Sequence, residues 1–224
     1  MTPENIIGSD MLWGDRQIDK PFWKQLDIGA LRHSDDTEQG CGTGAILLAS
    51  CPGMRGHSIA NDDDVKIDIE KLVAAGAGFV LSLLEAEDRV RLGVNALDDI
   101  INKAGLECAS FPIRDHDIPH SDQTEALRLL LDQLETRIRS GQTIAIHCQA
   151  GLGRTGMIAG VLLGRFGIDG AAAITAIRQA RPGSIETEAQ EDFVKGWVQA
   201  EILPAQAKAG SRATSMGAVK LDRD

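Results

Sequence analysis

Residues 144–156 read I-A-I-H-C-Q-A-G-L-G-R-T-G, and this run holds residue types from which chemistry can be made. A short β-branched stretch stops at Cys148, glycines punctuate the following residues at Gly151, Gly153 and Gly156, and an apolar run of helical character continues over 157–166. A strand that ends at a nucleophile and turns through glycines into a helix start makes an anion cradle. Successive backbone N–H groups point inward, and the helix dipole adds positive potential. A cysteine at that point works as a thiolate, itself an anion in the nest. The segment reads as a nucleophile built to meet a phosphate. Arg154 has the planar fork that holds two phosphoryl oxygens at once, which a lysine does not reproduce.

Spacing alone does not carry this reading. Cys148 and Arg154 stand as C-x5-R, but so do Cys108 and Arg114, in C-A-S-F-P-I-R. The second segment has no glycine, and Pro112 removes a donor where a nest would need one, so it reads as an extended run leading into a loop. What separates the two is the trio of glycines, the strand before and the helix after.

H-C-Q-A-G-L-G-R-T-G (147–156) resembles, nearly letter for letter, the signature loop of the cysteine-dependent protein tyrosine and dual-specificity phosphatases. F-P-I-R-D-H-D-I-P (111–119) is similar to the general-acid loop of the small dual-specificity members, and R-P-G-S-I-E-T-E-A-Q (181–190) to the late segment that carries a water-positioning glutamine. L-L-A-S-C-P-G (47–53) and V-L-S-L-L-E (80–85), in this order, look most like the kinase-associated phosphatase branch and its bacterial relatives. The likeness runs over approximately residues 40–200.

Each residue then has an expected role. Cys148 attacks phosphorus and carries the group as phosphocysteine. Arg154 and the N–H groups of Gln149, Ala150, Gly151, Leu152 and Gly153 bind the phosphoryl oxygens. Asp115 protonates the leaving oxygen and then activates water. Asp117 is its rival, two residues on; alignment to P-I-x-D favours Asp115, and the other aspartate would cap the loop. The resemblance implies that Thr155 hydrogen-bonds the sulfur and that Gln190 places the water. His147 supports the loop through backbone hydrogen bonds. Arg181 is either a second phosphate contact or a helix-end cation. Cys108 is core, or a thiol that protects Cys148 as a disulfide. No metal or cofactor is needed.

The expected activity is that of a phosphatase on protein phosphotyrosine, extending to phosphoserine and phosphothreonine, with a phosphorylated protein or peptide as partner. The same chemistry on a phosphoinositide or inositol phosphate would want basic residues within the loop, and positions 149, 150 and 152 are Gln, Ala and Leu. A non-catalytic phosphoprotein-binding module would not need nucleophile, arginine and acid together. Sulfur transfer of the rhodanese type would not need Asp115 or the G-R-T-G continuation. The chain has no tyrosine, so the tyrosine-bearing loop that deepens the pocket of the large enzymes is missing. A shallower cleft walled by Leu152 and residues 116–120 is expected.

Composition fits a single core. With 224 residues, 43% of them hydrophobic, the chain can bury one domain's interior. Residues 1–40 read as an N-terminal extension, 41–203 as a dual-specificity-type phosphatase domain and 204–224 as a disordered tail. The net charge of −10 argues against a nucleic-acid partner, which needs clustered Lys and Arg. No apolar stretch reaches membrane-spanning length and no secretory leader pattern is visible, so a cytoplasmic location is expected. Four irregularly spaced cysteines suggest reduced thiols without a zinc site.

The elements that must position these groups alternate. Strands are expected at 45–50, 79–84, 106–113 and 142–147. Helices are expected from an Asn61 cap to Ala75, over 87–103, from a Ser121 cap to Gly141, and over 157–166, 170–180 and 187–202. On the helix after Ser121, Leu127, Leu130, Leu131, Leu134 and Ile138 share one face. The fold class is α/β, with a central, largely parallel sheet of about four to five strands flanked by helices on both faces, protein tyrosine phosphatase-like. In such sheets ligands bind beyond the carboxyl ends of the strands, where Cys148 sits and where the loop from Pro112 emerges.

Overall fold

A computed structural model of the chain describes residues 22–31, 44–55 and 59–200. Five strands form one sheet: β1 (Trp23–Asp27), β2 (Ala45–Ala49), β3 (Ala77–Ser82), β4 (Glu107–Ser110) and β5 (Thr143–His147). Their spatial order is β1-β2-β5-β3-β4, with β1 antiparallel to β2 and every other pair parallel. β5 therefore lies between two parallel neighbours, and its C-terminal end opens at the middle of the sheet edge. The helices are α1 (Ile28–Leu31), α2 (Asp62–Ala74), α3 (Ala86–Leu92), α4 (Leu97–Lys103), α5 (Thr124–Arg139), α6 (Gly153–Gly164) and α7 (Gly170–Ala180), followed by α8 over 188–200.

Alternation along the strands builds two cores. Ile46, Leu48, Phe79, Leu81, Ile144 and Ile146 point to the side covered by α5, α6 and α7, while Leu47, Ala49, Val80 and Ala145 point to the side covered by α2 and α4. Helices on both faces explain why β2 is buried at every residue and reads as an unbroken apolar run. α5 buries the five residues expected of it, Leu127, Leu130, Leu131, Leu134 and Ile138. Asn61 caps α2 by accepting the Asp64 N–H at 2.9 Å. Among the described residues no helix is long and apolar enough to cross a membrane.

Three expectations change. The helix read over 87–103 is two helices, because Gly93 adopts φ 72° and ends α3 with the Val94 N–H returning to Arg89 O at 2.9 Å. A side chain at Gly93 would collide with Ala60, so the break is enforced by packing as well as by conformation. Ser121 does not cap α5; it opens a short 3-10 turn (Ser121–Gln123), and the Gln123 side chain accepts the His120 N–H at 2.9 Å. Finally, β1 lies in the stretch read as an extension, where it pairs with β2 over five residues. Its sequence, W-K-Q-L-D, buries little beyond Leu26, so the alternation that marks a half-buried strand is faint. Most of the first forty residues and the tail at 204–224 lie outside the described residues, as does Cys41.

Candidate active site

Backbone pairing continues past the ends of the strands and gathers four segments at one edge. The Leu83 N–H donates to His147 O at 2.9 Å, Cys51 N–H to Gln149 O at 2.9 Å, Phe111 N–H to Ser82 O at 2.9 Å and Ile113 N–H to Leu83 O at 3.2 Å. The run from Cys148 and the run leading to Asp115 are thereby fixed beside each other.

Cys148 follows β5 and is only 3% exposed. The chain curls back over its sulfur, and the Gly151 N–H donates to Sγ at 3.3 Å. The curl needs glycine: Gly151 has φ 72°, and a side chain there would run into the Ala49 carbonyl. α6 starts at Gly153, so its N-terminal end faces the same loop. His147 is fully enclosed, with Nδ1 at 3.2 Å from Cys148 O, and burial lowers its pKa to about 4. Its imidazole is neutral at pH 7, and with the proton on Nδ1 it donates to the loop.

Arg154 is 1% exposed. Its Nη1 donates to Asp88 Oδ2 at 2.7 Å, Ile113 O at 3.0 Å and Leu83 O at 3.5 Å. Nη2 lies 2.8 Å from Asp115 Oδ1, yet neither Nη2 nor Nε makes a hydrogen bond. One edge of the guanidinium is thus fixed by the protein; on its other side Nη2 is in an ion pair with Asp115 and, among the described residues, Nε has no hydrogen-bond acceptor. Burial disfavours its charge, but the sulfur of Cys148, the Asp88 carboxylate and the Asp115 carboxylate outweigh that and raise its pKa above the usual value.

The two candidate acids part company. Asp115 is half-exposed, with its carboxylate against Arg154. The Asp117 carboxylate turns back to accept the Ile118 N–H at 2.9 Å, and its own N–H closes a turn onto Arg114 O at 3.1 Å. Gln190 is completely buried: its Oε1 accepts the Glu186 N–H at 3.0 Å and its Nε2 donates to Asp117 O at 3.2 Å, so it ties the 111–119 loop to the start of α8. The Thr155 hydroxyl is buried without a hydrogen-bond partner, so the bond to sulfur that the resemblance implies is not made here.

Cys108 is not beside Cys148. It sits in β4 level with Val80, and Val80 is level with Ala145, two strands across and three residues short of Cys148. Cys108 also packs with the opposite core, as does Cys51, so neither thiol is placed to form a disulfide with Cys148. Arg181 stands at the C-terminal end of α7, as the helix-end alternative has it, but its side chain turns away to other segments. It donates to Ala150 O at 2.8 Å, Leu48 O at 3.1 Å and Phe22 O at 3.3 Å, holding one peptide of the curl against the sheet.

Two residues escaped the sequence reading. Asp88 is the carboxylate behind Arg154; it also accepts from Arg91 and, at 3.4 Å, from the Glu85 N–H. Burial works to raise its pKa, but the bonds from Arg154 and Arg91 prevail and hold it below the ordinary carboxylate range. The A-E-D start of α3, just beyond the 80–85 run, is the one signal that could have drawn attention to it. Glu186 accepts the Gly153 N–H at 2.9 Å, so one donor assigned to phosphate is here engaged by a carboxylate of the chain. A groove of about 370 Å³ between α2 and α4, lined by Lys66, Ile69, Glu70, Ile100 and Lys103 among others, contains no nucleophile and lies apart from the cradle.

Residues 58–194 match the family model described as Swiss Army Knife protein, DSP-PTPase phosphatase domain. The chain is 40% identical over 82 residues to the dual specificity protein phosphatase CDC14A of Mus musculus, covering 34% of this chain and 13% of the relative. It is 32% identical over 105 residues to the tyrosine-protein phosphatase CDC14 of Saccharomyces cerevisiae, covering 45% of this chain and 19% of the relative. The match therefore spans less than a fifth of either curated relative. Among solved structures, a kinase associated phosphatase with its catalytic cysteine replaced by serine superposes with a TM-score of 0.66 at 21% identity, over 79% of this chain and 93% of the other. Tk-PTP in its active form gives a TM-score of 0.55 at 26% identity, over 69% of this chain and 91% of the other. The family model covers well over half of the chain, which belongs to the DSP-PTPase family of dual-specificity and protein tyrosine phosphatases.

Proposed function

We propose that this phosphatase acts on proteins, removing phosphate from tyrosine and also from serine and threonine, through a phosphocysteine on Cys148. The observation that carries this is the pairing of a buried sulfur, which accepts the Gly151 N–H, with a buried arginine whose Nε and Nη2 make no hydrogen bond. A phosphoryl group seated against Cys148 would take both of those donors, displacing the Asp115 carboxylate from Nη2.

Sγ attacks phosphorus as the ester P–O bond breaks, and a proton held by Asp115 passes to the leaving oxygen. Asp115, now a base, takes a proton from water as that water attacks phosphorus, the P–S bond breaks and the thiolate is regenerated. Arg154 and the loop N–H groups hold the charge on the equatorial oxygens, the term on which such displacements depend most. Asp88 fixes the plane of the Arg154 fork, and Arg181 fixes the curl. Gln190 keeps the acid loop in register, and its place beside Gly153 also fits it to position the water. Thr155 follows Arg154 in the first turn of α6, and its buried, unpaired hydroxyl is available to bond the sulfur. The Gly153 N–H joins the phosphate contacts when Glu186 swings away. We place the enzyme in the reducing cytoplasm, where a working thiolate stays reduced.

The test is steady-state turnover of matched phosphotyrosyl, phosphoseryl and phosphothreonyl peptides. Measurable turnover of all three, with tyrosine ahead by less than roughly a thousandfold, is the expected result for a shallow cleft. Turnover of a phosphoinositide with none of any peptide would overturn the protein-substrate reading.

A further inference from the structure

The rim of the cradle carries a second guanidinium that the reaction does not use. Arg91 stands in the last turn of α3 with its side chain 53% exposed. Its Nη2 donates to the Asp88 carboxylate and, at 2.9 Å, to Gln149 Oε1, so the group is held against the first residue after the nucleophile. A guanidinium has five donors. Both bonds leave from Nη2, and among the described residues Nε and Nη1 have no hydrogen-bond acceptor. Nor does Arg91 pair with Glu87, one turn earlier on the helix; Asp88 is its ion-pair partner.

Asp88 carries one negative charge between two guanidiniums, those of Arg91 and Arg154, and Asp115 pairs with Arg154 from the other side, so two carboxylates balance the two cations within the cradle while Arg91 sits at its exposed rim. Arg154 is committed to the phosphoryl group, and Arg91 keeps its outer edge turned to solvent. A cation fixed at one corner is already ordered, so binding an anion costs little further side-chain freedom. The rest of the molecule has a net charge that repels anionic substrates, and a local cation at the mouth reverses that repulsion where it matters.

Resting on the protein-phosphatase reading, we propose that Arg91 is a specificity-determining residue: it takes an anionic group, carboxylate or phosphate, carried by the substrate peptide next to the phosphorylated residue. Substrates with acidic or multiply phosphorylated surroundings are therefore preferred over neutral or basic ones.

The experiment uses the full chain and phosphotyrosyl peptides identical except for flanking alanine, glutamate, phosphoserine or lysine. The ratio of kcat/KM for each peptide to that of the alanine peptide is measured for the wild type, Arg91→Gln and Arg91→Lys. Each ratio is taken within one variant, so any loosening of Arg154 through Asp88 cancels. The wild type should favour the glutamate and phosphoserine peptides by about fivefold, mainly in KM, and the preference should fade in high salt. Arg91→Gln should bring the ratio near unity, while Arg91→Lys keeps part of it. A phosphoserine ratio well above the glutamate ratio identifies a second phosphate as the preferred anion; equal ratios identify charge alone. A wild type indifferent to flanking charge, or an Arg91→Gln ratio equal to the wild-type ratio, overturns the assignment while leaving the phosphatase reading intact. Failure of the wild type on every phosphopeptide would instead bring down the protein-substrate reading beneath it.

Discussion

Cys108 and Cys148 each stand six residues ahead of an arginine, one within and one just past parallel strands that end at the same edge of the sheet, and only one pair meets. Cys108 lies inside β4, three residues below the level of Cys148. Its chain must finish the strand before it can turn, and Pro112 keeps the next residues extended, so Arg114 ends exposed. Cys148 lies one residue beyond β5, where the chain is free to curl at Gly151 and bring Arg154 back into the interior. The preceding residues differ in the same sense. Glu107 reaches out to Arg137 at 2.7 Å, while His147 is enclosed. Burial raises the pKa of the Cys108 thiol, with the Asp98 carboxylate adding to the rise. What a cysteine can do is set by where the strand stops relative to it. The failed copy still serves the working one, since its arginine-bearing run delivers Ile113 O and Asp115 to Arg154.

Substitutions in pairs sharpen this contrast. Cys148→Ser should lower turnover of an aryl phosphate by about 10⁴-fold or more, since a hydroxyl in place of a thiolate removes the nucleophile. Cys108→Ser should leave it within about twofold; comparable losses would erase the distinction. Next, Arg154→Lys should cost roughly 10²–10³ in kcat, the scale of losing a bidentate oxyanion contact, while Arg114→Lys changes little.

Asp115→Asn should slow esters with poor leaving groups by about 10²-fold and activated aryl esters much less, as expected when the proton donor is lost. Asp117→Asn should instead act evenly on both, because its carboxylate only shapes the turn. The smallest effect concerns the residue before each cysteine. His147 has a pKa near 4 when folded and about 6.5 when unfolded, so the unfolded chain binds the extra proton first as pH falls. Its contribution is complete above the unfolded value and drains away as pH drops toward the folded one. Unfolding by denaturant should therefore lose about 2 kcal/mol between pH 7 and pH 5 on this account, and His147→Gln should flatten that slope. Glu107→Gln should leave it unchanged.

Much of the fold was legible because its signals are local. α5 is marked by five apolar residues on one stripe, α2 by an asparagine ahead of three aspartates, and β5 by a β-branched run that stops at the nucleophile. β1 was not, because an edge strand with one solvated face and only Leu26 well packed resembles a polar loop in sequence. The break at Gly93 was hidden because helical spacing resumes after it, and the need for glycine comes from Ala60 across the fold. The site divides in the same way. Cys148, the glycines and Arg154 lie within nine residues and declare one another. Asp88 lies 66 residues from the arginine it holds, among many other acids, and nothing in its neighbours names that partner. The choice between Asp115 and Asp117 depended on a turn with His116 at φ 59°, which no periodicity foretells.

Arg181 makes the first strands of the sheet answerable to the chemistry at the loop after β5. One side chain grips Phe22, Leu48 and Ala150 together. Shortening the protein to the 58–194 stretch that defines its family would discard two of those three anchors and bare the flank of β5. Such a fragment would keep every reacting atom and lose the tension that bends the loop around them.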